Sequence, residues 1–450
     1  VVAGFSPRNR LMAVLPRRLG LFSAVAVLVG STIGSGIFRS PAGIAERIPD
    51  AKLFFAAWIA GGLCILAGAL TYAELAGALP QTGGVFVYLR EAFGRLPAFL
   101  FGWAELTIIR ASALGAIATV FAEYLLRMAG ISDAAMIHYG AAITILFVAA
   151  LNAAGINIAA SVQNLTACSK YLALIVLVLA SFLFNSGSAL PPPTAYLSSG
   201  STVGLFGLAL ISILWVYDGW ADLTFVSGEI RNPDRNLPLA LIIGTLAVIA
   251  IYLATNSAYL HVMTIAEVAK SRLVAADVAE RLVGRIGVSF VSITVMISTF
   301  GTLNGSLMTG SRIFFAMADD GLFFKRIAAV HPRFQSPYVA IWLTAGLGAV
   351  FVMIRNFEQL ADAFILAIWP FYAAATAAIY VLRRKRPDLP RPYRVWGYPV
   401  TPAIFLIAAV FLLGNALITD FAGVWFVFAI VLAGVPAFWI WQSTFKKSLV

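Results

Sequence analysis

Apolar residues run through this chain in stretches of about twenty, divided by short polar segments that carry most of the charge. A helix needs about that length to cross a bilayer, whereas a barrel strand would alternate over about ten residues. The pattern predicts about twelve helical spans, roughly at 19–38, 53–79, 96–127, 134–154, 160–184, 203–229, 237–261, 287–318, 337–355, 359–382, 401–419 and 424–443. The third can extend back toward Val85. Residues 262–286 are charged and helix-forming and read as a surface helical loop; Pro191-Pro192-Pro193 reads as an uncharged linker.

Two spans break the pattern. Gly30-Ser31-Thr32-Ile33-Gly34-Ser35-Gly36-Ile37-Phe38 places glycines and hydroxyl residues inside the first apolar run. Glycine is about 1 kcal/mol worse than alanine in a helix interior, so unwinding is expected near Gly34-Ser35-Gly36. Inside a membrane, freed backbone groups are tolerated only where they line a cavity. The second half-helix would then offer N–H groups at Ser35, Gly36 and Ile37 to a carboxylate. The first would offer carbonyls at Thr32 and Ile33 to an ammonium. Together these suit the two charges of an amino acid; the competing explanation is a small-residue face for helix packing. In the sixth span, Leu214-Trp215-Val216-Tyr217-Asp218-Gly219-Trp220-Ala221-Asp222 sets two carboxylates and a glycine between apolar flanks. Interruptions at matching places suggest two halves of five spans around a midplane site. Trp215 and Trp220 flank the second interruption, and Trp369 precedes Pro370 in mid-span, where proline disrupts the backbone. Each ring could cover a small ligand or simply pack between helices.

Composition narrows the class. Of 450 residues, 61% are hydrophobic and 11% charged, against about 25% charged in soluble domains. An integral membrane protein is expected, with no soluble domain. The net charge of +11 reads as cytoplasmic loops rather than nucleic-acid binding. Lys and Arg favour the loops on the side of the chain ends by roughly two to one, so both termini are expected in the cytoplasm. Arg8–Arg18 leads into the first span without a cleavage site, and the first residues, which lack an initiator Met, are given no role. Cys64 and Cys168 fall inside spans and are expected to pack as small apolar residues. His138, His261 and His331 form no metal-ligand spacing. No cofactor is expected, and without a nucleophile–base motif the chain is not expected to be an enzyme.

Charges within spans are few. Arg110 is expected to pair with a nearby acid and Arg312 with a cytoplasmic-end carboxylate, among Glu105, Asp218 and Asp222 at depth and Glu74, Glu123 and Glu229 nearer span ends. Lys170 differs because lysine loses its proton readily on burial, which makes it a candidate switch against the carbonyls of the broken first helix.

At this point the residues resemble a family. Gly34-Ser35-Gly36-Ile37-Phe38 is similar to the first-helix motif of the amino acid–polyamine–organocation (APC) superfamily. Tyr72-Ala73-Glu74-Leu75 with Pro80-Gln81-Thr82-Gly83-Gly84 resembles its second-to-third-span signature. Tyr217-Asp218-Gly219-Trp220 with Gly228-Glu229-Ile230-Arg231-Asn232-Pro233, and Gly301-Thr302-Leu303-Asn304-Gly305 with Gly310-Ser311-Arg312, resemble its sixth and eighth spans. Arg386-Pro387-Asp388 and Arg391-Pro392-Tyr393-Arg394 resemble the loop after the tenth. The combination points to the L-type amino acid transporter (LAT) branch and its bacterial relatives.

The resemblance implies an all-α membrane protein of the leucine-transporter (LeuT) type. It would have 12 transmembrane helices: two inverted five-helix repeats with broken helices 1 and 6, plus two extra C-terminal helices. Along this chain that gives a cytoplasmic segment 1–18, repeats at 19–184 and 203–382, a basic loop 383–400, the last two spans within 401–443 and a cytoplasmic tail 444–450. It further implies that Ser35, Gly36 and Ile37 hold the substrate carboxylate, and that carbonyls of Thr32, Trp215 and Asp218 hold its ammonium. Trp215 matches an aromatic that closes over substrate, and Trp369 falls where the tenth span lines the pocket. Lys170 matches a fifth-span lysine that stands in place of a sodium ion. Ala221 replaces the glutamate of acid-resistance exchangers, and residues 129–134 lack the cysteine that bonds a heavy subunit in animal relatives. The expectation is a plasma-membrane exchanger of neutral L-amino acids, with Ile33, Tyr217 and Trp220 also in the site and no disulfide-linked subunit. The alternatives are a proton-coupled symporter and a non-transporting amino acid sensor.

Overall fold

The computed structural model describes residues 15–446 apart from 132, 185–201, 272, 356 and 420. The Pro191–Pro193 linker, Arg8, Arg10 and Lys447 lie outside the described residues.

The apolar runs become helices because a chain in hydrocarbon must satisfy its backbone hydrogen bonds within each segment. Eighteen α-helices are found among the described residues. The first repeat expected from the sequence holds α1 (Leu21–Thr32), α2 (Gly36–Arg47), α3 (Ala51–Ala78), α4 (Val85–Phe93), α5 (Arg95–Ala104), α6 (Arg110–Met128), α7 (Ala134–Ala153) and α8 (Ile156–Phe184). The second holds α9 (Thr202–Val216), α10 (Pro233–Val262), α11 (Ile265–Lys270), α12 (Val274–Val283), α13 (Arg285–Asp319), α14 (Tyr338–Ile354) and α15 (Phe357–Lys385). α16 (Val400–Thr419), α17 (Phe421–Leu432) and α18 (Gly434–Lys446) complete the chain. A π-helical turn, Glu105–Ile109, joins α5 to α6, and a 3-10 helix, Trp220–Glu229, follows α9.

Among the described residues, ten helical segments are long and apolar enough to cross a membrane. The pair α1 and α2, bent by 42°, makes an eleventh. The shorter apolar α14, of 17 residues, stands at the ninth expected span. The third span does reach back to Val85, but as a separate helix: Gly94, at φ +96°, turns the chain between α4 and α5. Pro370 does not interrupt α15, which stays helical through it.

The 262–286 segment is more than a surface loop. Thr264 and Glu267 form a reciprocal capping box on α11, and α12 buries Val274 and Val278. Both helices pack against α2, so the segment is seated on the second half of the broken span. Cys64 is buried, but Cys168 is exposed on α8 and does not pack in the core.

One face carries Arg18, Arg90, Arg231, Arg312 and the loop after α15; the other carries α11 and α12. The first, here the basic face, is closed by ion pairs. Arg90 meets Asp320 at 2.6 Å, Arg383 meets Glu74 at 2.6 Å and Arg386 meets Glu91 at 2.7 Å. Beneath them, Arg312 forks onto Glu229 at 2.8 and 3.2 Å with both side chains buried. Leu19 and Ile230 form a short parallel bridge, with Leu19 N–H donating to the Glu229 carbonyl at 2.9 Å and Arg231 N–H to the Leu19 carbonyl at 2.8 Å.

Candidate functional site

The first span ends its leading helix at Thr32, runs non-helically through Ile33, Gly34 and Ser35, and restarts at Gly36. Its restart leaves the first N–H groups of α2 without intrahelical acceptors. The sixth span behaves in the same way. α9 stops at Val216, Gly219 turns the chain at φ +105°, and the 3-10 helix begins at Trp220. The two breaks face each other closely enough that side chains are excluded. A Cβ on Gly36 would stand 3.0 Å from both Val216 methyl groups and 3.2 Å from Val216 Cα. A Cβ on Gly219 would stand 2.7 Å from the carbonyl carbon of Ser31. The Tyr252 hydroxyl on α10 lies 3.0 Å from both the Thr32 and Val216 carbonyl oxygens, tying the two frayed ends together.

Between the breaks lies a chamber of about 60 Å³. Thr32, Ser35, Gly36, Trp215 and Asp218 line it, five of the residues singled out in the sequence. Ser35, Gly36 and Trp215 are shared with a vestibule of about 1120 Å³, which also reaches Arg47, Arg127 and Leu273 and so opens toward the face opposite the basic one.

The remaining expected site residues lie behind the wall. The Ile33 carbonyl already accepts from Lys170 Nζ at 2.6 Å, Ser298 Oγ at 2.8 Å and Thr302 Oγ1 at 3.1 Å, which uses its lone pairs and leaves none for an ammonium. The Ile37 side chain is buried and its carbonyl accepts from the Tyr259 hydroxyl at 3.3 Å, so only its N–H, in the first turn of α2, is left for the site. Tyr217 packs edge-on to Trp58, and Trp220 packs on Tyr72 with ring centroids 4.6 Å apart. Trp369 stacks on Phe405 at 5.3 Å rather than lining the chamber. These rings are helix packing, the alternative the sequence left open.

Lys170 is fully buried and donates to the carbonyls of Gly30 at 2.8 Å, Ile33 at 2.6 Å and Ser298 at 3.0 Å, and to Thr302 Oγ1 at 3.1 Å. Its ammonium therefore gathers the end of α1 onto α13 through neutral oxygens.

Arg110 and Asp222 pair, as the sequence predicts for buried charges, and both also line the chamber. Arg110 meets Glu105 at 3.1 Å, Ser306 Oγ at 2.8 Å and Asp222 at 3.6 Å. Asp222 also accepts from Thr309 Oγ1 at 2.8 Å. The π-helical turn that starts at Glu105 sits immediately before Arg110, a deformation frequent at functional sites. Ser31, Ser306 and Phe364 also line the chamber. Phe364 meets Trp215 edge-on at 5.2 Å, and Trp215 lines both chamber and vestibule. Only Ser31 carried a signal, as a hydroxyl within the first interrupted motif.

The amino acid permease family model matches residues 19–443, almost the whole described chain. The chain belongs to the amino acid permease family. Similarity extends along full-length relatives. The serine/threonine exchanger SteT of Bacillus subtilis is 32% identical over 428 residues, 94% of this chain and 97% of the relative. The human cystine/glutamate transporter is 32% identical over 446 residues, 98% of this chain and 88% of the relative. The large neutral amino acids transporter small subunit 2 of Mus musculus is 32% identical over 451 residues, 97% and 84% of the two chains. This amino acid permease is thus a multi-pass membrane transporter rather than an enzyme, and both broken spans fall within the matched region.

Proposed function

We propose that this permease exchanges neutral L-amino acids by alternating access, with the substrate zwitterion held between the two helix breaks. The observation that carries the reading is their opposition across one chamber: the start of α2 at Ser35 and Gly36 faces the end of α9 at Trp215. In this reading the N–H groups of Ser35, Gly36 and Ile37 take the carboxylate. The Trp215 and Asp218 carbonyls take the ammonium; the Thr32 carbonyl, already accepting from Gly34 N–H at 2.9 Å and the Tyr252 hydroxyl at 3.0 Å, holds the end of α1 beside it. Ile33, Tyr217, Trp220 and Trp369 act from behind, as supports of the two breaks.

Neutral substrates are favoured because Arg110 and Asp222, two of the three ionisable side chains on the wall, are already engaged: Arg110 with Glu105, and Asp222 with Arg110 and Thr309, which leaves Asp218 as the third. A chamber of about 60 Å³ suits a small side chain, and the Bacillus subtilis relative is a serine/threonine exchanger, so L-serine is the first probe. Trp215 and Phe364 form the lid toward the vestibule, and Lys170 is the coupling residue. The five-helix repeats at 19–184 and 203–382 supply one break each. The basic face is read as cytoplasmic, on the positive-inside rule, in the cell membrane. Cys64 and Cys168 lie within α3 and α8, which favours function without a disulfide-linked subunit.

Counterflow in proteoliposomes tests the proposal after a thermal-shift screen of the twenty common amino acids. Uptake of labelled L-serine should require internal amino acid. Uptake driven by a pH gradient alone would replace exchange with proton symport, a reading that the burial of Lys170 among neutral oxygens supports. Binding without any flux would favour a sensor.

A further inference from the structure

Gln163 lies on α8 two turns before Lys170, fully buried between Gly30 of α1 and Gly305 of α13. A ladder of amides fixes its orientation. Asn304 Nδ2 donates to the Ala159 carbonyl at 3.0 Å and to Gln163 Oε1 at 2.9 Å. Asn152 Nδ2 in turn donates to Asn304 Oδ1 at 3.0 Å. Because Asn304 Nδ2 is held by a backbone carbonyl, the Gln163 oxygen must face it and the Gln163 nitrogen must face α1.

That nitrogen has no acceptor within reach among the described residues, although it is buried. The hydroxyl of Ser31, also buried, has no partner among them either. Both groups converge on the space that Gly305 leaves. A Cβ there would stand 2.6 Å from Ser31 Oγ and 2.8 Å from Gln163 Nε2. A Cβ on Gly30 would overlap the Gln163 amide, its Cδ at 2.9 Å. A donor and an acceptor are thus both left open across a gap that two glycines keep clear. Unmade buried hydrogen bonds are costly, so a neighbouring arrangement that makes this one is favoured by its formation.

We infer that Gln163 is a positioning residue for exchange: its amide donates to Ser31 Oγ once the end of α1 shifts on loading, and is released in the arrangement described here. Ser31 lines the chamber, so the contact reports its occupancy to α8. The preceding carbonyl, Gly30, is held by Lys170 from the same helix. α8 thereby grips one turn of α1 at two successive residues, through a contact made in this arrangement and a conditional one.

The inference rests on the exchange reading, and the full-length protein in proteoliposomes separates the two. Counterflow of labelled L-serine is measured for wild type, Gln163→Leu, Ser31→Ala, their double variant and Gly305→Ala. Gln163→Leu should lower the maximal rate about five- to tenfold with half-saturation changed less than about twofold. The double variant should be no slower than the slower single one, because the two residues act through one bond. Gly305→Ala, whose methyl occupies the gap and pushes Ser31 Oγ and the Gln163 amide apart, should reproduce the rate loss even where Gln163→Leu does not fold. Wild-type rates in Gly305→Ala, additive losses in the double variant, or a fall in rate matched by an equal fall in apparent affinity would each overturn the inference. A wild-type protein that binds L-serine without exchanging it would remove the inference together with the exchange reading.

Discussion

Lys170 Nζ stands 2.6 Å from the carbonyl oxygen of Ile33, the first residue after α1 ends. A helix that stops inside a membrane leaves carbonyls that something must satisfy, and here a lysine does so from a neighbouring span. Removing the ammonium frees the end of α1 without opening the chamber. Lys170→Ala is therefore expected to slow exchange about tenfold or more while changing substrate affinity much less, measured by counterflow rates beside equilibrium thermal shifts. Unchanged turnover would take Lys170 out of the mechanism.

Gly36 is the point where bulk cannot be admitted. With Val216 Cα 3.2 Å from where its Cβ would be, Gly36→Leu should fill the carboxylate position and abolish substrate-dependent stabilisation in a thermal-shift assay. Wild-type affinity in that variant would exclude the proposed cradle.

Gly219 combines a φ of +105° with a Cβ position only 2.7 Å from the Ser31 backbone. Backbone strain of this kind costs about 1–3 kcal/mol. Gly219→Ala should lower the melting temperature of the detergent-solubilised protein, even without substrate.

The sequence revealed the two breaks because glycine and aspartate inside apolar runs conflict with a continuous membrane helix. Composition and run length were enough for the spans. The chamber wall was less legible. Arg110 and Asp222 could be recognised as buried charges, but their shared cluster with Glu105 and Thr309 depends on how α6, the sixth span and α13 meet. Trp220 and Trp369 lie next to special backbone, yet adjacency along the chain did not set which way the rings point. Packing did, against Tyr72 and Phe405.

Arg312 and Glu229 form a buried pair, both almost fully removed from solvent. Breaking such a pair by removing one partner costs about 3–5 kcal/mol, because the other charge is stranded. Arg312→Met alone should destabilise the protein strongly, and Arg312→Met with Glu229→Leu should recover much of the loss. Equal melting temperatures in the single and double variants would show that the pair is not coupled.

Outside the membrane-spanning segments, Glu267 is held at about 2 against an ordinary 4.5, chiefly by its hydrogen bond to Arg281, with the Thr264 backbone adding to it. The native carboxyl is the stronger acid, so its contribution is present above the ordinary value and fades as pH falls toward about 2. The pair is substantially exposed, so the effect is small and sensitive to salt. Glu267→Gln should speed proteolysis or amide exchange of the 264–283 segment at neutral pH, and the difference from wild type should vanish in strong acid.

The bridge between Leu19 and Ile230 joins the first and sixth spans where each meets the basic face. Neither end can swing aside alone without cutting three backbone hydrogen bonds, those of Arg18, Leu19 and Arg231. Any polypeptide placed ahead of Leu19 is therefore harnessed to both interrupted spans at once. A tether or fluorophore attached there would ride with the pair as a single lever.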